Sequence, residues 1–411
     1  MRPARIALGL AVSSLLAASL TSCSSGASSG TSVAIFVSAP VSTSPWIATF
    51  ERNGAELAAD ELNADGGVTF GAHKHKVVIT VRDNGGSPQR AAGDARAAVA
   101  AHAAALIIDG VGAGAVADVA KAADLPVFVV FDGGASVVDP TTRPTLFRMA
   151  PADKPMSIRL ADYLADRHPK AAILADDSSY GTDGMAAMRA GFARDKTAVV
   201  STGVVAAGTS DVAPRVLAAR RAGATTLIVW AGAPVVAAAI QAARSAGWHV
   251  PIWAGPTGED PLVRQQLASH VDWLTDVGFV SFRITSETGP KPFASYRAKY
   301  EKKFGIDKIG VRQDGKDVVA PPDWSMFPYD TVHLIAAALD KSGATGAALL
   351  RTLEGNVVIT GANGDERGFS ESTREGVSPD DMYFALFHGF TFAPVTNDLL
   401  SQNLPAVGQL H

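Results

Sequence analysis

Leu106-Ile-Ile-Asp-Gly-Val-Gly-Ala-Gly-Ala115 is the stretch that decides the fold, together with Leu125-Pro-Val-Phe-Val-Val-Phe-Asp-Gly-Gly-Ala-Ser136, which follows about one helix later. Two short apolar runs on either side of an alanine-rich segment predict a βαβ unit with buried parallel strands. Each run ends in a glycine-rich turn, where backbone amides can approach a ligand closely. Because ligands bind outside the carboxyl ends of the strands in open parallel sheets, these two turns are the first candidates for a site.

The first glycine-rich turn has two interpretations. Gly112 begins the pattern G-x-G-x-x-A after a strand, and Asp132 lies twenty residues later, at the end of the next strand. That spacing is close to a dinucleotide fingerprint with its ribose-binding acid, and would indicate a dinucleotide-binding enzyme. The other interpretation is a glycine-rich strand end in a different αβ sheet, and the motif alone leaves both open.

The amino terminus has the pattern of a secretory signal. Arg2 and Arg5 precede an apolar run that is short and rich in alanine and serine, which is typical of a signal peptide rather than a transmembrane helix. Leu20-Thr-Ser-Cys23 resembles the bacterial lipobox, in which the cysteine becomes the lipidated first residue. We therefore predict a lipoprotein signal over residues 1–22 and a flexible Ser/Gly/Ala/Thr tether over 23–32. The alternative is an ordinary secretion signal with an incidental cysteine.

The composition of the mature chain excludes several classes of protein. Removal of residues 1–22 takes two arginines from the 36 basic residues and leaves the 40 acidic ones, so 34 basic residues face 40 acidic ones. The basic residues form no block, which argues against a nucleic-acid partner. Cys23 is the only cysteine, so no internal disulfide is possible. The length favours two domains.

Apolar runs and helical patterns alternate along the rest of the chain. Strand patterns occur at Val33–Val37, Ala171–Ala175 and Ile252–Ala254, and a helical pattern extends from about Thr49 to Ala64. Gly66 and its neighbour Gly67 follow that helix as a stop signal. This alternation predicts a doubly wound α/β architecture.

The order of these pieces resembles the type I periplasmic binding proteins, and in particular the branched-chain amino-acid-binding (Leu/Ile/Val-binding) family of ABC importers. The resemblance covers residues from about Ser32 to about Phe390. It is carried by Asn53-Gly-Ala-Glu-Leu-Ala58, Asn63-Ala-Asp-Gly-Gly67, the turn from Asp83 to Pro88, Phe147-Arg148, Ser179-Tyr-Gly181, Gly255-Pro256 and Tyr329-Asp330.

The resemblance implies two αβ lobes that close on a ligand about three hinge crossovers, near Ala150, near Ser281 and after Gly368. It places residues 33–150 and 283–370 in lobe 1, and residues 151–282 and 371–411 in lobe 2. It also implies a monomeric, extracytoplasmic, lipid-anchored protein that is not an enzyme and that delivers a small molecule to ABC permease subunits. A tethered ligand sensor is the alternative. The dinucleotide interpretation loses ground, because two αβ units precede the glycine-rich turn.

The resemblance also implies which residues hold the ligand. They lie in the loops that follow the strands of both lobes, and they are Trp46, Gly112, Ala113, Gly114, Asp132, Gly133, Gly134, Ser136, Tyr180, Trp230, Gly232 and Thr257. Trp253 is a further candidate for an aromatic-tolerant pocket. The segment from Asp307 to Pro328 either covers the mouth of the cleft near Phe327 or is a surface insertion.

Two departures from the family pattern bear on the ligand. Amino-acid binders of this family offer a hydroxyl from the first loop and a carboxylate from the Gly-Pro loop, whereas this chain has Ala113 and Thr257 there. Glu259 could replace the carboxylate only if the loop is rebuilt. Asp132 adds an acid in lobe 1, and a buried carboxylate needs a cation or hydroxyls as partners. The predicted ligand is a small polar metabolite such as an amine or a polyol, or an amino-acid-like compound.

Other chemistries leave no pattern in the sequence. Ser179 lacks the preceding glycine of a nucleophile elbow, and no Walker A or His-Glu-x-x-His pattern is present. We therefore expect no catalytic residues, no metal and no cofactor.

Overall fold

The first sheet is formed by the N-terminal part of the chain. This computed structural model describes residues 32–167, 169–282, 291–305, 311–313, 316–318, 324–378, 382–389 and 391–395. The six strands are β1 Ser32–Ala39, β2 Val68–Phe70, β3 His73–Asp83, β4 Ala105–Ile108, β5 Val127–Val129 and β6 Leu146–Arg148. They lie in the order β2-β3-β1-β4-β5-β6, and every neighbouring pair is parallel except β2 with β3.

The second sheet follows with seven strands. They are β7 Lys170–Asp176, β8 Ala198–Val205, β9 Thr226–Trp230, β10 Ile252–Ala254, β11 Val277–Phe282, β16 Met382–His388 and β17 Thr391–Pro394. Their order is β17-β16-β11-β10-β9-β7-β8, with β16 antiparallel to both of its neighbours.

Helices cover both sheets. Those of the first sheet are α1 Pro45–Ala64, α2 Pro88–Ala100 and α3 Ala113–Ala122. Those of the second sheet are α4 Asp153–Ala165, α5 Ser179–Arg194, α6 Ala213–Arg221, α7 Ala233–Ser245 and α8 Pro261–Gln266. Strands such as β4 and β5 are fully buried, because helices lie on both of their faces.

The chain then returns to the first sheet. The remaining elements are α9 Lys291–Phe304, β12 Val311–Gln313, β13 Lys316–Val318, α10 Met326–Ser342, α11 Ala347–Glu354, β14 Gly355–Thr360 and β15 Glu366–Ser370. α10 packs on α1, where a Cβ at Gly54 would lie 2.8 Å from Pro328 Cγ. Asn53 donates a 2.8 Å hydrogen bond to the Tyr300 hydroxyl of α9. The Asn53-Gly54 pair therefore joins three helices over one core.

Two crossovers between the sheets run side by side. The Arg148 amide donates to the Arg374 carbonyl at 2.7 Å, and the Gly376 amide donates to the Arg148 carbonyl at 2.8 Å. The Arg148 guanidinium is almost fully buried and makes a two-pronged ion pair with Glu375. It also donates to the Gly134 carbonyl at 2.7 Å, so one side chain connects a strand-end loop to both crossovers.

The predicted α/β fold class is confirmed, with two parallel sheets that match the doubly wound pattern. The first helix begins at Pro45 rather than near Thr49, because proline suits the first helical position, where its missing N–H has no partner to lose. The predicted signal and most of the tether lie outside the described residues, and Ser32 belongs to β1 instead of the tether.

Candidate functional site

A cavity of about 370 Å³ lies where the carboxyl ends of strands from both sheets face each other. A volume of this size is typical of small-molecule sites. The residues that line it are Pro40, Ser44, Trp46, Ile47, Gly86, Asp109, Val111, Phe131, Asp132, Gly133, Pro151, Asp153, Met156, Ser178, Ser179, Tyr180, Pro256, Thr257, Asp260 and Trp324.

Asp109 follows β4 directly and contributes a carboxylate to the cavity wall. Its Oδ1 accepts hydrogen bonds from Asn84 Nδ2 and from the Val111 amide, both at 3.1 Å. Burial raises the pKa of Asp109 to about 6, although these hydrogen bonds oppose the shift. Glu51 of α1 is fully buried nearby, and burial, followed by the charge of Asp109, raises its pKa well above the ordinary range.

Asp132 stands one strand further, after β5. Its Oδ1 accepts a 2.8 Å hydrogen bond from the Gly134 amide, so half of the carboxylate caps its own turn. The glycine at position 110 leaves room for the Asp132 side chain, because a Cβ on Gly110 would overlap Asp132 Cβ and lie 3.0 Å from Asp132 Cγ. Gly110 also has φ +126°, a conformation that L side chains rarely adopt.

Asp153 is the first residue of α4, just after the first crossover. The residue is only 9% exposed, and among the described residues no group donates a hydrogen bond to its carboxylate. Burial, followed by the charge of Asp132, raises the pKa of Asp153 to about 7, against the opposing effect of Arg148. Asp183 and Glu375 add smaller contributions in the same direction as Asp132.

Three aromatic rings form one wall of the cavity. Trp46 meets Phe131 edge-on at 6.2 Å between ring centroids, and Trp324 lies 5.2 Å from Phe131 and 6.4 Å from Trp46. Phe50 packs behind all three rings. Such a wall can pack against an apolar group, and the faces of its rings can attract a cation.

The opposite wall comes from the second sheet. Tyr180, in the first turn of α5, lies over Trp230 with ring centroids 5.4 Å apart. Its hydroxyl occupies the space that a side chain at Gly255 would fill, which gives the Gly255-Pro256 pair a steric role. Burial raises the pKa of Tyr180 well above its ordinary value, so the phenol stays neutral. Thr257 donates a 2.6 Å hydrogen bond to the Ala231 carbonyl.

Asp260 supplies the fourth carboxylate. Its Oδ1 caps α8 by accepting from the Leu262 amide at 2.8 Å, and burial raises its pKa to about 6. Glu259 does not substitute for the family's acid, because its carboxylate accepts a 2.7 Å hydrogen bond from the buried Ser281 hydroxyl. The turn thus directs Asp260, and not Glu259, to the cavity.

Five of the predicted site residues line the cavity, namely Trp46, Asp132, Gly133, Tyr180 and Thr257. The other seven are not among the lining residues, and Val111 lines the cavity in place of the three residues that follow it.

The predicted residues of the two glycine-rich turns have internal roles. A Cβ at Gly112 would lie 2.6 Å from Pro88 Cα, so this glycine allows two helices to approach. Ala113 is the first residue of α3 and is buried, and Gly114 lies against the Arg143 side chain. The Gly134 amide is capped by Asp132, and the Ser136 carbonyl accepts from Arg143 at 2.6 Å.

The predicted tryptophans and Gly232 also lie outside the lining. Trp230 is fully buried and packs against Gly184 behind Tyr180. Trp253 is fully buried as well, against Tyr163 at 5.1 Å. The Gly232 amide donates to Asp176 Oδ2 at 2.8 Å. These aromatic strand residues pack in the core, since strands buried on both faces leave neither side open.

Several lining residues were absent from the sequence prediction. Asp109 had the same signal as Asp132, because it also follows an apolar strand directly. Asp153 and Asp260 had none, since they reach the cavity from a crossover and from a turn. Trp324 belongs to the segment from Asp307 to Pro328, much of which lies outside the described residues. Phe327 is fully buried in the first core rather than at the cleft mouth.

The part of the chain that the structure describes contains no cluster of His, Cys, Asp and Glu that could hold a metal ion. Among the same residues, no helix combines the length and the apolar character that a membrane crossing requires.

Comparisons with known proteins agree with this geometry. A periplasmic binding protein from Bordetella pertussis Tohama I has a TM-score of 0.75 at 19% identity, over 88% of this chain and 99% of that one. The substrate-binding protein LivJ from Streptococcus pneumoniae, in complex with isoleucine, has a TM-score of 0.72 at 18% identity, over 89% and 99%.

A solute-binding protein of an ABC transporter from Rhodopseudomonas palustris BisB5, in complex with 3,4-dihydroxybenzoic acid, has a TM-score of 0.71 at 18% identity, over 88% and 95%. No match was found among curated protein sequences. The family model described as periplasmic binding protein matches residues 41–386. With this match and the type I fold of its structural neighbours, the chain belongs to the periplasmic binding protein family.

Proposed function

We propose that this protein is the solute-binding component of an ABC importer, which captures a small molecule between two lobes and delivers it to membrane permease subunits. The observation that carries the proposal is the cavity of about 370 Å³ at the facing strand ends of the two sheets. The adjacent crossovers at Arg148 and Gly376 provide a hinge for closure over that cavity. Two structural neighbours of the same fold are in complex with isoleucine and with 3,4-dihydroxybenzoic acid, which supports a small-molecule ligand.

The proposed lobes are residues 33–150 with 283–370, and residues 151–282 with 371–411. We assign the ligand contacts to Trp46, Asp132, Gly133, Tyr180 and Thr257, and add Asp109, Asp153, Asp260, Phe131 and Trp324 from the cavity wall. Binding without catalysis is expected, because the family model and the structural neighbours are those of periplasmic binding proteins.

The experiment that tests the proposal is a thermal-shift screen of polar metabolites on the mature protein, because a ligand that binds only the folded state raises the melting temperature. A hit should also reduce the radius of gyration in X-ray scattering as the lobes close. Tyr180→Ala should weaken the binding of the hit, whereas Tyr163→Phe, at a residue that packs against Trp253 away from the cavity lining, should not. The proposal fails if no metabolite shifts the melting temperature, or if hits bind equally well to the Tyr180→Ala variant.

We also propose that Cys23 anchors the mature protein to the bacterial cell membrane, on the basis of the lipobox and the tether in the sequence. Cys23→Ala should appear in the soluble extracytoplasmic fraction, and Ser24→Ala should stay with the membrane as the matched control. Membrane retention of Cys23→Ala would contradict the anchor.

A tethered sensor that presents the same cleft to a receptor is the second candidate. It is distinguished by uptake: deletion of an importer component should stop accumulation of the labelled hit, whereas deletion of a sensor should change a response and leave uptake intact.

A further inference from the structure

We propose that the cleft binds a small organic cation, an ammonium group on an apolar body that carries no free carboxylate. This inference rests on the proposed function, since it names the class of ligand for the same cleft. Three features of the cavity wall carry it: the sign of its charges, an acceptor without a partner, and the aromatic wall.

The charges of the cavity wall are all of one sign. Asp109, Asp132, Asp153 and Asp260 line the cavity, and none of the described lining residues is a lysine, an arginine or a histidine. Two guanidinium groups act on these carboxylates: that of Arg148 is paired with Glu375 and bonded to backbone carbonyls, and that of Arg264 donates to the Glu259 carbonyl. A cationic ligand would therefore meet four carboxylates and no lining cation, and an anionic one would be repelled by them.

Asp153 is the acceptor without a partner. Its carboxylate is nine-tenths buried, lines the cavity, and receives no hydrogen bond from any described residue. Asp132 lies beside it with Oδ1 bonded to the Gly134 amide, and no described donor meets Oδ2. Buried carboxylates are normally paired. An ammonium between these two oxygens would supply both missing hydrogen bonds and the missing charge.

The aromatic wall suits the rest of such a ligand. Trp46, Phe131 and Trp324 present ring surfaces to the same cavity as the four carboxylates. Aromatic faces attract cations and also bury apolar groups, so they accept both ends of an organic ammonium. Met156 adds a flexible apolar contact from α4.

The main rival is an amino acid in its zwitterionic form. The first turns of α1 and α5 reach the cavity through Trp46 and Tyr180, and helix N-termini favour a carboxylate. Two helix N-termini at the cavity already have an acceptor of their own. Ser178 caps α5 by accepting from the Gly181 amide at 3.1 Å, and the carboxylate of Asp153 occupies the first turn of α4. A direct comparison of amines with their parent amino acids therefore decides between the two ligands.

The experiment compares matched probes by calorimetry and thermal shift, at about pH 8, where alkylamines are protonated. The amines are 3-methylbutylamine and 2-phenylethylamine, and their parent amino acids are leucine and phenylalanine. 2-Phenylethanol is the neutral analogue, and 3-phenylpropanoate is the anionic one. We expect the two amines to bind, each with an affinity about tenfold or more higher than that of its parent amino acid. The reason is that the amine gains a charge-assisted contact in the cavity without the repulsion that a carboxylate on the ligand would meet.

Three substitutions complete the test. Asp153→Asn and Asp132→Asn should each weaken amine binding about tenfold or more and leave the weak binding of 2-phenylethanol unchanged. Asp118→Asn removes a charge from an exposed position of α3 and should have no effect. Because Asp153→Asn removes a buried charge that lacks a partner, this variant should melt no lower than wild type, which separates lost affinity from lost folding.

Several results would overturn the inference. Tighter binding of leucine, phenylalanine or 3-phenylpropanoate than of the amines would do so and would leave the importer proposal standing. Amine binding that is unchanged in both acid variants would remove these carboxylates from the site. If none of the probes binds at up to about 10 mM, the cation class is wrong, and the metabolite screen alone then decides the importer proposal.

Discussion

Replacing Gly184 with alanine tests whether the second-sheet wall of the cleft is rigidly packed. Gly184 lies in α5, and a Cβ there would be 2.7 Å from Trp230 Cε2 and closer still to Nε1 and Cδ1. Trp230 is fully buried, so its indole has no solvent-filled space to enter. The Tyr180 ring lies over the same indole, at 5.4 Å between centroids. A methyl group on α5 should therefore disturb a residue that lines the ligand cavity.

Two opposing effects set the size of the change. Alanine is favoured over glycine inside a helix by about 0.8–1.0 kcal/mol. A Cβ at Gly184 would lie 2.1 Å from Trp230 Nε1, whereas ordinary contacts are about 3.5–4.0 Å, so the indole or the helix must move by roughly 1.5 Å to admit the methyl group. Overpacking of a well-packed core costs about 1–3 kcal/mol. Because the ring cannot move outward, we expect a cost near the top of that range and a net loss of about 1–2 kcal/mol.

Urea denaturation of Gly184→Ala, followed by circular dichroism, measures this loss, with Gly93→Ala in α2 as the matched control. A Cβ at Gly93 would meet only Arg96 Nη2 at 3.8 Å, so this variant should gain about 0.5–1 kcal/mol from helix propensity alone. A loss for Gly184→Ala beside a gain for Gly93→Ala would support tight packing behind Tyr180. Equal gains for both variants would refute the steric argument.

Two further predictions concern buried charges. Asp330 and Arg367 form a fully buried ion pair at 3.3 Å, so Arg367→Met should lower the free energy of unfolding by about 3–5 kcal/mol. Adding Asp330→Leu should restore most of that free energy. A single variant as stable as wild type would contradict this prediction. In the unliganded protein, the pKa of Asp153 is raised to about 7, so its contribution to stability is complete below about pH 4 and is lost as the pH rises to about 7. Urea titrations across this pH range should show a smaller loss of unfolding free energy for Asp153→Asn than for wild type. Identical slopes of unfolding free energy against pH would rule out the raised pKa.

The fold could be predicted from the sequence because several of its strands, such as β4 and β5, are apolar on both faces. The runs that became β4 and β5 leave little choice but burial between helices, and a glycine-rich turn marks each end. An element boundary differed from the prediction where one side chain decides it, as at Pro45, which begins α1. The predicted turn glycines were found where expected, but Gly112 serves the contact with Pro88 and not the cavity. A glycine pattern indicates that something approaches the backbone closely, but it does not distinguish a neighbouring helix from a ligand.

The site could be predicted only in part, because its wall is assembled from segments far apart in the chain. Asp132 was found from its place at a strand end, and Tyr180 from a family motif. Nothing local distinguishes Asp153 from any acid in the first turn of a helix, or Asp260 from an ordinary helix cap. Their function depends on burial and on the empty space beside them, which are properties of the folded chain.

The distribution of the carboxylates also connects ligand charge to closure. Asp109 and Asp132 follow strands of the first sheet, and Asp153 and Asp260 lie at helices of the second sheet, so the proposed closure would bring like charges together. Two unit charges about 8 Å apart repel by roughly 0.5–2 kcal/mol for effective dielectric constants of about 80 to 20. Without a ligand, this repulsion would oppose closure, and the charge of Asp132 already adds to burial in raising the pKa of Asp153. A cation between the lobes turns the repulsion into attraction, because each carboxylate then faces an opposite charge. A neutral molecule of the same shape fills the space but leaves the repulsion in place, so the charge of the ligand, more than its size, should decide whether the closed state forms.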